Sequence, residues 1–299
     1  MRAALITELG RPPIVGEAPE ALYASTGGES LEVLAAALNP IDRAVAAGQF
    51  YGGHPPLPFV PGCECVGREA GGRIVWTFGG GLGLARNGSM AERAEPGAVV
   101  AEVPHGADPA LAAALGIAGL AGWLPLAWRA PVREGDRVLV LGATGAAGQV
   151  AVQAAKLLGA AHVVAAGRDP KGLQRALELG ADEAVPLDGD FGEPTYVFDP
   201  LCGEPLERAV AAAAPGARLV QLGQSAGPAA SLPSAAIRGK QLELYGHSNF
   251  AVPDEVLIEH YGRLVGHAVA GKLELDVERI GLDELGDAWG RPGKLVVCL

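Results

Sequence analysis

One stretch, Val138-Leu139-Val140-Leu141 followed by Gly142-Ala143-Thr144-Gly145-Ala146-Ala147-Gly148, narrows what this chain can fold into more than any other. The four apolar residues have the β-branched content of a strand buried on both faces. After the small-residue turn, apolar positions return at helical spacing through Val150, Ala154, Leu157 and Leu158. A second apolar run, 162–166, completes a strand–turn–helix–strand unit. In that setting the turn reads as a dinucleotide fingerprint. Ala143 keeps the turn tight, and Gly145 lets backbone N–H groups reach a pyrophosphate at the positive end of the helix. Gly148 lets helix and strand pack closely, and Thr144, Ala146 and Ala147 complete the cradle. The plainer alternative is an ordinary βαβ turn.

The end of the second strand selects among dinucleotides. NAD-binding units place Asp or Glu about twenty residues after the fingerprint to hold the ribose 2′-hydroxyl. Here that position falls on Gly167, and Arg168 follows. Without a carboxylate a 2′-phosphate is not repelled, and a guanidinium suits it. NADPH is therefore the expected cofactor, with Arg168 and Lys171 on its 2′-phosphate. Asp169 stands as a competing charge, and Arg168 and Lys171 as surface cations are the alternative.

The surrounding chain carries consistent class information. Its 299 residues suffice for two domains, each with its own core. A net charge of −11 argues against nucleic acid and anionic membrane surfaces as partners. No apolar stretch reaches spanning length without Gly, Pro or charge interrupting it. The opening residues Met1-Arg2-Ala3-Ala4-Leu5-Ile6 read as a strand rather than a signal peptide, so a cytoplasmic enzyme is expected. Cys63, Cys65, Cys202 and Cys298 form neither a disulfide framework nor a zinc knuckle.

Patterning suggests one domain inserted in another. Short strands at 32–38, 73–78 and 99–103, punctuated by Pro and Gly, predict a mostly antiparallel module over 1–107, completed by 251–299. Helical patterning begins at Pro109. Strands at 138–141, 162–166, 184–187, 195–198, 217–222 and 241–245 then alternate with helices at 147–158, 170–179 and 204–213. That alternation predicts a doubly wound parallel sheet over 108–250. A helix at 253–271 follows, and the strand 294–298 is expected to return to the first module.

With these segments in view, the chain resembles the medium-chain dehydrogenase/reductase superfamily, in its zinc-independent quinone oxidoreductase branch. The marks are Leu38-Asn39-Pro40-Ile41-Asp42, the segment from Pro58 to Gly67, Gly88-Ser89-Met90-Ala91-Glu92 and Gly135-Asp136-Arg137-Val138. The glycine loop, Leu179-Gly180-Ala181-Asp182 and the terminal Gly293-Lys294-Leu295-Val296-Val297 follow in order. The resemblance implies an α/β fold: a Rossmann doubly wound parallel sheet binding NADPH plus a GroES-like, mostly antiparallel β-barrel catalytic domain. It also implies a homodimer joined through the last Rossmann strand, here 242–245. Gly223 and Ser248 would meet the nicotinamide ribose and carboxamide ends of the cofactor.

Zinc-dependent relatives hold the metal with a Cys near the Asn39 position, the His of a Gly-His-Glu triplet and a later Cys or Asp. Here the triplet is Gly62-Cys63-Glu64, and Gly116-Ile117-Ala118-Gly119 offers no thiolate, so a metal-free enzyme is expected. Hydride would then go to a quinone or an alkene activated by a carbonyl. Asn39 is expected as the amide donor at the substrate end, or else as a turn cap before Pro40. Tyr51 is expected as proton donor or stacking partner, although the simplest register aligns the family's tyrosine with Phe50. Cys63 is either a small core residue or a reactive thiol. His54, His260 and His267 read as loop or surface residues, and Asp42 as a backbone cap. The expected activity is NADPH-dependent reduction of a quinone or enone. The alternatives are an enoyl-thioester reductase, or a non-catalytic NADPH-binding sensor or scaffold.

Overall fold

The buried strand at the centre of the sequence argument becomes the centre of a parallel sheet. The computed structural model describes residues 1–18 and 30–299. It divides into two compact units: Met1–Ala118 with Pro253–Leu299, and Gly119–Val252. These junctions fall at 118/119 and 252/253, against the expected 107/108 and 250/251.

In the first unit, β1 (Arg2–Leu5) and β2 (Ile14–Glu17) form a two-stranded antiparallel pair. The main sheet comprises β3 (Leu31–Ala37), β4 (Glu64–Arg68), β5 (Ile74–Phe78), β6 (Arg93–Ala94), β7 (Val99–Glu102), β14 (Glu278–Gly281) and β15 (Leu295–Cys298). Its order is β14-β15-β3-β4-β5-β7, with β6 also pairing β3. All pairings are antiparallel except β14 with β15. The last strand does return to the first module: Val296 pairs with Ala37. Helices α1 (Pro40–Ala46), α2 (Pro109–Ala114), α8 (Asp254–Val269) and α9 (Leu285–Ala288) belong to this unit. Asn39 and Pro40 start α1, because Pro at the first helical position lacks only an N–H that would be unpaired anyway. The core gathers Val33, Leu38, Phe59, Val60, Met90, Trp289 and Leu295.

The second unit holds β8 (Arg137–Leu141), β9 (His162–Gly167), β10 (Glu183–Pro186), β11 (Tyr196–Asp199), β12 (Arg218–Gln221) and β13 (Glu243–Gly246). They are all parallel, in the order β10-β9-β8-β11-β12-β13. Counted from β8 this is 3-2-1-4-5-6, the dinucleotide-binding order, whose direction reverses between β8 and β11. The helices are α3 (Leu120–Leu124), α4 (Ala146–Leu157), α5 (Pro170–Glu178), α6 (Gly203–Ala212) and α7 (Ser234–Lys240). At the amino end of the sheet, Arg218 pairs with Asp136, whose other oxygen accepts the Thr195 hydroxyl at 2.9 Å.

Three short elements, α1, α7 and β14, carry no periodic signal long enough to predict. The helical run Pro109–Arg129 is long and apolar enough by length and composition to cross a membrane. It is kinked at Gly116, and 72 % of its most apolar window is buried inside the protein, as in a core helix.

Candidate functional site

Because the six strands of the second unit are parallel, their carboxyl ends share one edge. That edge gathers the Gly142–Gly148 turn, Gly167 and Arg168, Pro186, Asp199, Gly223 and Ser248. Ligands of doubly wound sheets bind outside this edge, next to the strand-order reversal.

The turn is built for close approach. Gly142 has φ +64, and the Gly145 N–H donates to its carbonyl at 3.0 Å. Ala143 is fully buried and donates to Ala166, tying the turn to β9. A Cβ on Gly148 would overlap the Gly142 carbonyl and stand 2.6 Å from Ala143 Cα, so helix and turn pack backbone to backbone. A Cβ on Gly145 would meet only the Gly142 carbonyl, at 3.5 Å, leaving its outer side open. Among the described residues no side chain caps the start of α4 at Ala146, so the first-turn N–H groups of Ala146, Ala147 and Gly148 have no side-chain acceptor there. An exposed glycine before an uncapped helix start is the arrangement an anionic pyrophosphate fits.

Thr144 decides the next feature. A Cβ at Gly167 would lie 2.6 Å from its Cγ2, and one at Gly172 would lie 2.7 Å from it. The Thr144 methyl thus fills the space where the ribose-binding carboxylate of an NAD enzyme would begin. Asp169 does not act as a free competing charge: its carboxylate accepts from the Lys171 and Gly172 N–H groups and caps α5. Arg168 and Lys171 are exposed, with no side-chain partner among the described residues. Arg168 lines a cavity of about 450 Å3 together with Gly167, Asp188, Leu201, Glu204 and Arg208. Gly223 and Ser248 lie two residues beyond the ends of the neighbouring strands β12 and β13. At Gly223 the Pro200 carbonyl leaves no room for a Cβ.

The candidates in the first unit fare differently. Asn39 is only 1 % exposed. Its Nδ2 donates to Glu64 Oε1 at 2.7 Å, and its Oδ1 accepts from Lys294 Nζ at 2.6 Å. Both ends of the Asn39 amide thus meet buried partners, Glu64 and Lys294. Glu64 Oε2 accepts from Trp76 Nε1 at 2.8 Å and from the Ile117 N–H at 2.6 Å. Burial pushes the Glu64 carboxyl up against these donors and pushes the Lys294 ammonium down. Sequence reasoning took Glu64 as part of a triplet and Lys294 as part of a terminal motif. Their partnership with Asn39 had no local signal.

Tyr51 is 94 % exposed, and its ring centroid lies 4.5 Å from that of Phe50. It is free to meet a flat ligand, and among the described residues no hydrogen bond holds it in place. Cys63 is buried, and its thiol is pushed well up by desolvation and by Asp42. Cys65, also buried, is pushed up to about 12. Both are therefore inert core thiols, not reactive ones. In the native protein at neutral pH, Cys298 will be alkylated by iodoacetamide before Cys63 and Cys65. Peptide mapping that found Cys63 modified first would overturn that reading.

Comparison with known proteins identifies relatives of the whole chain. Residues 146–259 match the family model described as zinc-binding dehydrogenase. The quinone oxidoreductase of Thermus thermophilus, whose structure was also determined with NADPH, is 30 % identical over the whole of both chains, with a TM-score of 0.83. Quinone oxidoreductase-like protein 2 of Rattus norvegicus is 29 % identical, over 84 % of this chain and 78 % of that one. A phenolphthiocerol/phthiocerol polyketide synthase protein of Mycobacterium tuberculosis is 30 % identical over 90 % of this chain. The chain spans 13 % of that synthase protein's length. A Rossmann-type parallel sheet joined in sequence to a GroES-like, mostly antiparallel unit defines a class of oxidoreductase folds. This chain belongs to the medium-chain dehydrogenase/reductase superfamily, in its quinone oxidoreductase branch.

The zinc ion implied by the family model's description does not fit the residues here. Both Glu64 oxygens are taken by N–H donors, and Lys294 Nζ lies 3.9 Å from Oε1, where it would repel a cation. Among the described residues, no three His, Cys, Asp or Glu side chains are grouped to hold a metal.

Proposed function

We propose that this protein is a zinc-free, NADPH-dependent oxidoreductase that delivers hydride to a quinone or an activated alkene such as an enone. The observation that carries the reading is the open Gly145 and uncapped α4 beside the cavity lined by Arg168. When bound, NADPH supplies the hydride. The α4 N–H groups hold its pyrophosphate, and Arg168, aided by Lys171, holds the 2′-phosphate. Gly223 and Ser248 meet its nicotinamide half. Tyr51 stacks on the flat acceptor or gives it a proton. Asn39 acts as a positioning residue that ties Glu64 to Lys294, without touching substrate. A cytoplasmic homodimer follows from the same reading, with the exposed edge of β13 and its Leu244 covered by a second copy.

A second reading, an enoyl-thioester reductase, draws on the likeness to the polyketide synthase protein. Both readings share the cofactor and differ in the acceptor. The test is a fluorescence titration with NADPH and NADH, run on the wild type and Arg168→Ala, followed by NADPH oxidation against quinones, enones and enoyl thioesters. We expect NADPH to bind the wild type at least about tenfold more tightly than NADH, with the difference lost in the variant, as for one charge-assisted contact of about 1.5 kcal/mol or more. Equal affinity for the two would remove Arg168 from the site. Binding without turnover of any acceptor would leave an NADPH-binding sensor or scaffold.

A further inference from the structure

The cavity beside Arg168 has a second cation that the sequence did not single out. Arg208 lies on α6, one helical turn after Glu204, and both line the cavity. A guanidinium carries five N–H donors. The only hydrogen bond Arg208 makes among the described residues is from Nη2 to the Gly189 carbonyl, at 2.8 Å. Its Nε is buried and has no hydrogen-bond partner among the described residues. The guanidinium lies over the Phe191 ring, 5.5 Å from the centroid, which holds it in place while its remaining donors stay unspent. Glu204, four residues earlier on the same face, does not pair with it. The cavity thus carries two under-used guanidiniums, Arg168 and Arg208, and two carboxylates, Asp188 and Glu204.

We propose that Arg208 is the second guanidinium of the cofactor's phosphate subsite, opposite Arg168, and a determinant of the preference for NADPH over NADH. The proposal rests on the NADPH reading above. A ligand that is all anion would meet two carboxylates here, whereas an adenosine bearing a 2′-phosphate offers both kinds of group. Its phosphate accepts from Arg168 and Arg208, and the amino group of its adenine donates to Glu204 or Asp188. Stacking on Phe191 pre-orders the Arg208 side chain, so little rotamer freedom is lost when the phosphate binds.

The test uses calorimetric titration of the full chain and of the variants Arg208→Met and Arg208→Lys. The probes are adenosine 2′,5′-bisphosphate, NADPH and NADH, and melting temperatures are recorded alongside. Arg208→Met keeps the apolar stem over Phe191 but removes every donor. We expect it to weaken adenosine 2′,5′-bisphosphate and NADPH by about tenfold or more, to leave NADH within about twofold, and to be partly rescued by Arg208→Lys. An unchanged NADPH-to-NADH ratio in a folded Arg208→Met would overturn the proposal, as would equal weakening of both dinucleotides. A wild type that does not prefer the phosphate-bearing ligands would instead refute the NADPH reading, and this inference with it.

Discussion

Replacing Lys294 with methionine will cost the fold about 3–5 kcal/mol, the usual penalty for removing one partner of a buried ion pair, and the loss will deepen as pH rises. Lys294 is buried, 2.6 Å from Asn39 Oδ1 and 3.9 Å from Glu64 Oε1. Methionine fills similar volume, so the loss is chiefly electrostatic. Without the ammonium, Glu64 keeps its burial and loses the cation that most lowers its pKa, so its folded-state pKa rises further. A carboxyl with a folded pKa above its unfolded value of about 4.3 binds more protons folded than unfolded between those two values. Stability therefore falls as pH rises through that window and levels off above the folded pKa. Urea unfolding of Lys294→Met at pH 5 and pH 8 reads this directly, with the greater loss at pH 8. Adding Glu64→Gln should return part of the stability and flatten the pH dependence. Strict additivity of the two substitutions would show that the residues are not coupled.

Gly116→Ala should be comparably severe, at about 3–5 kcal/mol, from overpacking together with broken hydrogen bonds to a buried carboxylate. A methyl at 116 would overlap Glu64 Oε2 and Trp76 Nε1 and stand 2.8 Å from Trp76 Cε2. Neither neighbour has slack. Glu64 Oε2 holds the Trp76 and Ile117 N–H groups, and Trp76 stacks on Tyr261 with centroids 4.5 Å apart. Tyr261 is held in turn by its hydroxyl, which donates to the Ala112 carbonyl at 3.2 Å. Denaturant unfolding followed by tryptophan emission measures the penalty. A loss under about 1 kcal/mol would mean that the network yields more readily than its packing implies.

The strands and helices of the second unit were readable because their signals are contiguous. An apolar run bounded by Gly, or a helical period opened by Pro after Asp169, depends only on neighbours in sequence. The observed β9, α5 and α6 differ from expectation by about one residue at their ends, the uncertainty that fraying introduces. The short α1 and α7, at seven residues each, and the four-residue β14 lacked the length to show a period. Asn39 was legible as a special position because Asn before Pro starts a helix, but its buried partners Glu64 and Lys294 were not. The partner that consumes its carbonyl oxygen lies 255 residues away.

The sequence by itself determined the fold class and the family resemblance: the glycine turn between buried strand and helix, the missing acid at Gly167 and the ordered series of short motifs from Asn39 to Lys294 depend on neighbours along the chain. Tertiary structure alone decided which polar groups are available to a ligand. Asn39, Glu64 and Lys294 spend their donors and acceptors on one another, whereas Arg168 and Arg208, forty residues apart in sequence, line one cavity with donors unspent. The physical reason is that hydrogen-bond capacity is small and saturable. Whether a side chain has any left depends on which distant segments fold against it.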